Sequence, residues 1–162
     1  MEIWDAYDRN FKKIEGLSLI RGEPVPDGQF HLVSEVIVRH QDGSYLLMQR
    51  AAEKHFGGMW EATAGGSALQ GETAAECAAR ELEEETGIIP DQLQEIGRVV
   101  HERHRTIYVE YLCVTACEKS SVRLQRGETS AFQWVSRDVL YHMPKQELVT
   151  QRIQNFIEEL SN

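Results

Sequence analysis

The chain has 162 residues, 41% of them hydrophobic and 27% charged, and a formal net charge of −9. That length suits one domain, residues 1–162, with a single sizeable core. The acidity argues against a nucleic-acid polymer or a membrane surface as partner, while a small phosphorylated ligand stays compatible because a divalent metal can supply local positive charge.

No apolar run is long enough to span a bilayer, and the start of the chain carries no basic leader followed by an apolar stretch, so neither a spanning helix nor a signal peptide is expected. The three cysteines, Cys77, Cys113 and Cys117, lack zinc-type spacing and read as reduced thiols of a cytoplasmic protein. If Cys113 and Cys117 lie on one strand they face the same side, and packing, not metal or redox chemistry, is their expected role.

Residues 1–28 read as an N-terminal extension packed on the domain, with Glu2–Leu19 forming a small edge hairpin. Gly22–Gly28, with two prolines and two glycines, is a loop. His31–His40, rich in Val and Ile, is a strand. Gln41-Asp42-Gly43-Ser44 turns the chain into a returning strand, Tyr45–Arg50. A loop over Ala51–Met59 leads to a short strand, Trp60–Gly66. Glu72–Thr86 is rich in strong helix formers and stops at Gly87, with Pro90 beyond. Leu93–His101 and Thr106–Thr115 are two strands joined around Glu102–Arg105, and Phe132–Val135 is another. Lys145–Leu160 reads as an amphipathic helix, with Leu148, Ile153, Phe156, Ile157 and Leu160 on one face. Strands interleaved with two helices imply an α/β chain of the α+β kind, a helix–sheet–helix sandwich with a mixed β-sheet.

The chemistry concentrates in Arg80-Glu81-Leu82-Glu83-Glu84-Glu85-Thr86-Gly87-Ile88. Positions 81, 84 and 85 are related by i,i+3 and i,i+4, so their carboxylates share a helix face. Like charges at that spacing repel, and acidic groups in a last turn also meet the negative end of the helix dipole. A solvated acidic face is one reading. The other is a site for a hard cation, which prefers oxygen ligands. A helix built only for stability would carry Lys or Arg there, so local disadvantage favours the functional reading.

The upstream residues complete a pattern. Gly66 is followed by five residues and Glu72, then seven residues and Arg80-Glu81-Leu82, then Glu84-Glu85 and Gly87-Ile88. At average residue usage, a chance match at one starting point is on the order of 10⁻¹⁰. Gly66–Ile88 resembles the signature box of the Nudix hydrolases at every fixed position. The resemblance implies a loop–helix–loop in which Glu81, Glu84 and Glu85 ligate Mg²⁺ or Mn²⁺, with the Gly66 carbonyl as a further ligand. It also implies that Glu81 or Glu85 helps orient a water, and that Arg80 and Glu72 hold helix and loop together beside Gly87. Glu83 is left to solvent. Glu128 is a candidate proton acceptor, lying six residues before Trp134, where several family members carry a Glu on a loop. Glu110, on a strand, is a weaker one.

Outside the box, Arg50 fits either a substrate phosphate or a structural ion pair. Trp60 either stacks on a base or packs. His101, Arg103, His104 and Arg105 form a basic knot that suits a phosphate or a solvated turn. Trp4, Tyr7 and Trp134 read as core.

The segments Glu2–Asp8, His31-Leu32-Val33, Leu46–Arg50 and Gly58-Met59-Trp60 resemble the branch that includes isopentenyl-diphosphate isomerase. That branch needs a cysteine where this chain has Gly65, and a metal-binding histidine where it has Ser67; His31 matches another of its metal-binding histidines. The expected function is therefore metal-dependent hydrolysis of a nucleoside diphosphate linked to another moiety, or of a related organic pyrophosphate. The alternatives are the isomerase reaction and a non-catalytic nucleotide sensor. A homodimer is implied by the resemblance alone.

Overall fold

A computed structural model describes residues 1–160; residues 161–162, the last two of the expected domain, lie outside the described residues. In chain order the elements are β1 (Ile3–Tyr7), β2 (Lys13–Ile20), β3 (His31–His40), β4 (Tyr45–Arg50), β5 (Trp60–Glu61), β6 (Thr63–Ser67), α1 (Ala74–Thr86), β7 (Gln94–His101), β8 (Thr106–Thr115), β9 (Thr129–Val135), α2 (Arg137–Tyr141) and α3 (Arg152–Glu159). Strands β3 to β9 form one seven-stranded sheet, with β5-β4-β3-β8-β7 in order, β6 on β3 and β9 on β4. β3 and β8 run parallel and every other pair in that sheet is antiparallel, so the sheet is mixed.

The period-two alternation of β3 divides the core. Leu32, Val36 and Val38 enter a cluster with Cys77, Ala78 and Leu82 of α1. Ile37 joins Leu112, Leu148, Ile153 and Ile157 in a second cluster, the one that holds the buried face of α3. The sheet thus lies between α1 on one face and α3 on the other, which is the expected sandwich. Among the described residues no helix is long and apolar enough to cross a membrane.

Helix α1 has both termini specified by sequence. Thr73 is the N-cap: its hydroxyl accepts from the Glu76 N–H at 3.1 Å, and the Glu76 carboxylate accepts from the Thr73 N–H at 3.2 Å. This reciprocal box starts the helix at Ala74 rather than at Glu72. Gly87, at φ +78°, donates its N–H to the Glu83 carbonyl and ends it, a conformation in which a Cβ would be strained.

Several expectations require correction. Helix α3 begins at Arg152, not at Lys145, because residues 145–147 form a turn and Leu148 bridges to Trp60. Trp60 donates to the Glu147 carbonyl at 2.8 Å and Val149 donates to the Trp60 carbonyl at 2.9 Å. Leu148 fills the core as predicted, but from a strand-like bridge to Trp60. Strand β9 is also longer than Phe132–Val135, starting at Thr129 and pairing along β4. The short helix α2, capped by the Ser136 hydroxyl, was not foreseen. Cys117 lies beyond the end of β8, so it does not share a strand with the buried Cys113, but both pack in the same core cluster, as expected.

The N-terminal strands β1 and β2 form a separate two-stranded hairpin sheet. Phe30 and Tyr7 exchange backbone hydrogen bonds at 2.8 and 2.9 Å, and the Trp4 ring stacks on His31 with centroids 4.4 Å apart. The hairpin also reaches the loop before α1. Gln70 donates its N–H to the Ile3 carbonyl at 3.0 Å, and Gly71 donates to the Asp5 carboxylate at 2.8 Å.

Candidate active site

Antiparallel pairing of β6 with β3 sets Gly66 opposite Ser34 and Gly65 opposite Glu35. The chain then loops to Thr73 and enters α1, whose apolar face, with Ala78 and Leu82, is buried against the sheet. Burying that face turns Glu81 and Glu85 back over β6. A Cβ built on Gly66 would lie 2.6 Å from the Glu81 carboxyl carbon, so only glycine leaves room for the carboxylate over the backbone at this point. Beneath Gly66, the buried Cys77 thiol donates to the Gly66 carbonyl at 3.3 Å, and burial pushes that thiol up to about 12. It is therefore a neutral donor near neutral pH.

Arg80 organises the acidic residues. Its guanidinium makes a bidentate pair with Glu72, at 2.7 and 2.9 Å. It also donates to Glu81 at 2.8 Å, to Glu84 at 3.4 Å and to the Ser67 carbonyl at 3.2 Å. These contacts fasten the loop after β6 to the helix. Hydrogen bonding from Arg80 holds the Glu72 carboxyl below its ordinary range. Burial raises Glu81, against the opposing pull of Arg80. Glu85 accepts from the Gly65 N–H at 3.3 Å and is pushed up to about 8, first by burial and then by the charges of Glu81 and Glu61.

A cleft of about 470 Å³ opens over these groups. Its walls include Gly66, Glu81, Glu84 and Glu85, together with Glu128, which precedes β9 and is ion-paired with Lys54. The N-terminal hairpin adds Glu2 and Arg21. Neither Arg50 nor Trp60 lines this cleft. The Arg50 guanidinium is ion-paired with Glu61 and donates to the His55 carbonyl at 2.7 Å. Trp60 packs against the cluster that holds Leu148. The basic turn between β7 and β8 likewise stands outside the cleft: the His101 and His104 rings stack at 4.3 Å, and Arg105 pairs with Asp27.

Glu110 is fully buried and belongs to a different arrangement. Arg152 of α3 donates to it at 3.1 Å and to Glu35 at 2.6 Å, and the guanidinium lies 4.0 Å from the Tyr108 ring centroid. The second oxygen of Glu110 has no hydrogen-bond partner. Burial, and then the neighbouring Glu35, raise its pKa. Sequence reasoning missed Glu35, although the alternation of β3 puts it on the same face as Ile37, where a charge must find a partner. It also missed Glu2 and Arg21, for which the sequence carries no signal.

Among the described residues, no three His, Cys, Asp or Glu side chains already surround a common point. Arg80 holds Glu81 and Glu84 instead. The donor set nevertheless fits a hard divalent cation. It is all oxygen, and its buried members are carboxyls that burial and mutual repulsion drive toward protonation, a penalty a cation would relieve.

Residues 29–160 match the NUDIX domain family model. The chain is 30% identical over 141 residues to an uncharacterized Nudix hydrolase of Listeria monocytogenes, covering 86% of this chain and 83% of that one. It is 40% identical over 75 residues to an isopentenyl-diphosphate Delta-isomerase of Streptomyces avermitilis, a match that covers 46% of this chain and 38% of the isomerase. The fold superposes on the crystal structure of DR0079 from Deinococcus radiodurans with a TM-score of 0.77, 15% identity, and coverage of 99% of this chain and 100% of that one.

Proposed function

The chain belongs to the Nudix hydrolase family, and we propose that it hydrolyses the diphosphate linkage of a nucleoside diphosphate joined to another moiety, or of a related organic pyrophosphate. The observation that carries this reading is the convergence of Glu81, Glu84, Glu85 and the Gly66 backbone on one cleft, with Arg80 and Glu72 locking the loop beneath them. Glu81, Glu84, Glu85 and the Gly66 carbonyl would hold Mg²⁺ or Mn²⁺. When bound, such an ion neutralises charge developing on the diphosphate and lowers the pKa of a water.

The chain's own groups then have distinct tasks. Glu81 and Glu85 orient the attacking water. Glu128, in the same cleft, accepts its proton once the exposed pair with Lys54 opens. The water oxygen bonds to one phosphorus as the bridging P–O bond breaks, and a phosphate or phosphomonoester leaves with that oxygen. The buried Cys77 thiol keeps the Gly66 carbonyl aligned.

The geometry at Gly65 weighs against isomerase chemistry. A Cβ there would lie 2.9 Å from the Glu35 Cα and closer still to the Ser34 carbonyl oxygen, so the side chain that reaction needs has no room. The test is a panel of pyrophosphates assayed for phosphate release with Mg²⁺ or Mn²⁺. Glu81→Gln and Glu85→Gln should each lower turnover by several orders of magnitude while the fold survives. Near-native turnover in both would refute the site. Absence of turnover on every compound, with binding retained, would point to a sensor instead.

A further inference from the structure

We propose that Arg21, on the N-terminal hairpin and outside the matched domain, is a substrate-binding residue that takes anionic oxygens of the diphosphate in the Glu81–Glu85 cleft. The chemistry of the ligand rests on the hydrolase reading; the choice of residue rests on separate observations.

Arg21 follows β2 and lines the cleft together with the box carboxylates. Its direction is set by a chain of contacts. Its guanidinium donates to one oxygen of Glu2 at 3.2 Å. The Trp4 indole N–H donates to the other at 2.7 Å. Trp4 in turn stacks on His31 of β3. The backbone adds an Arg21 N–H to Glu2 carbonyl bond at 3.0 Å. Because Gln70 and Gly71 bind β1 directly, the hairpin is registered against the same loop that Arg80 fastens to α1. The hairpin thus fixes the backbone of Arg21 at the edge of the cleft, and Glu2 gives its exposed side chain one anchor there.

Electrostatics gives it a task. The cleft is lined by Glu2, Glu81, Glu84, Glu85 and Glu128 against only Arg21 and Arg80. Arg80 is engaged by Glu72, Glu81 and Glu84. The Arg21 side chain keeps 68% of its exposure and is paired with a partly exposed Glu2, a contact that a more strongly charged partner readily displaces. A guanidinium fork matches phosphate oxygens in two parallel hydrogen bonds.

The test is calorimetric titration of the full chain, in Mg²⁺, with imidodiphosphate, a diphosphate mimic with a nitrogen bridge. Arg21→Ala should weaken binding about 10-fold to 100-fold, and Arg21→Lys should recover part of the loss. Arg9→Ala, which removes an exposed pair with Glu102 on the far turn, should bind as wild type. Melting temperature and affinity for Mg²⁺ alone should not change in Arg21→Ala. Equal imidodiphosphate affinity in Arg21→Ala and wild type would overturn the assignment, as would no binding to wild type. Selective loss in Arg21→Ala, in a protein that hydrolyses nothing in the panel, would uphold Arg21 and refute the hydrolase reading alone.

Discussion

Glu85→Gln should make the metal-free protein more stable, and only at high pH. The Glu85 carboxyl is pushed up to about 8 by burial and by the charges of Glu81 and Glu61. A carboxyl raised above its unfolded value is protonated more readily in the folded state, so its contribution is fully present below the unfolded pKa and is lost as pH rises through the folded one. Each pH unit between the two removes about 1.4 kcal/mol. Allowing for relaxation of Glu81 and for water entering the cleft, about 2–4 kcal/mol should disappear between pH 5 and pH 8.5. Glutamine keeps the shape and can still accept the Gly65 N–H, but it carries no charge. In EDTA, melting curves of wild type and variant should nearly coincide at pH 5 and separate by roughly 5–15 °C at pH 8.5, the variant higher. Mg²⁺ should close much of that gap by stabilising wild type selectively. Melting temperatures that track each other across the whole pH range would show that Glu85 is not a desolvated carboxyl at all.

Arg80→Ala should destabilise the fold by about 2–3 kcal/mol in urea titrations, because Glu72 and Glu81 are left as partly buried charges without a cation; Arg80→Lys should restore only part, since an ammonium cannot make the bidentate contact to Glu72. Gly66→Ala should abolish metal-dependent turnover while shifting the melting temperature by only a few degrees, as the new Cβ meets the movable end of Glu81 and not backbone; unchanged turnover would show that Glu81 need not sit over β6. Leu148→Ala should cost about 2–5 kcal/mol by chemical denaturation, since that side chain is fully buried.

The acidic helix was readable because its signals are local. Helix propensity, the stop at Gly87 and the i,i+3/i,i+4 spacing of Glu81, Glu84 and Glu85 all lie within one stretch of chain, and the spacing from Gly66 to Ile88 identified the family. The apolar strands β3 and β4 and the turn between them were legible for the same reason. The C-terminal segment was misread where a local pattern met a distant partner. Leu148 fits a helical stripe with Ile153 and Ile157, yet the backbone of residues 147–149 satisfies its hydrogen bonds on Trp60, far earlier in the chain. Helical periodicity reports which side chains are buried, not which backbone groups pair.

The site divides along the same line. The sequence alone determined the carboxylates, the glycine beneath them and the arginine that fastens their loop, because box spacing and helical geometry bring these residues together over short chain distances. Only the tertiary structure decided that Arg50 belongs to Glu61, that Arg152 joins Glu110 to Glu35 on the other face of the sheet, and that Glu2 and Arg21 overlook the cleft. Those ion pairs join residues 11 to 117 positions apart through strand register, and the cleft gains Glu2 and Arg21 by the docking of a separate hairpin. A long-range ion pair leaves no periodicity in the chain, so its partner is known only once the sheet has assembled.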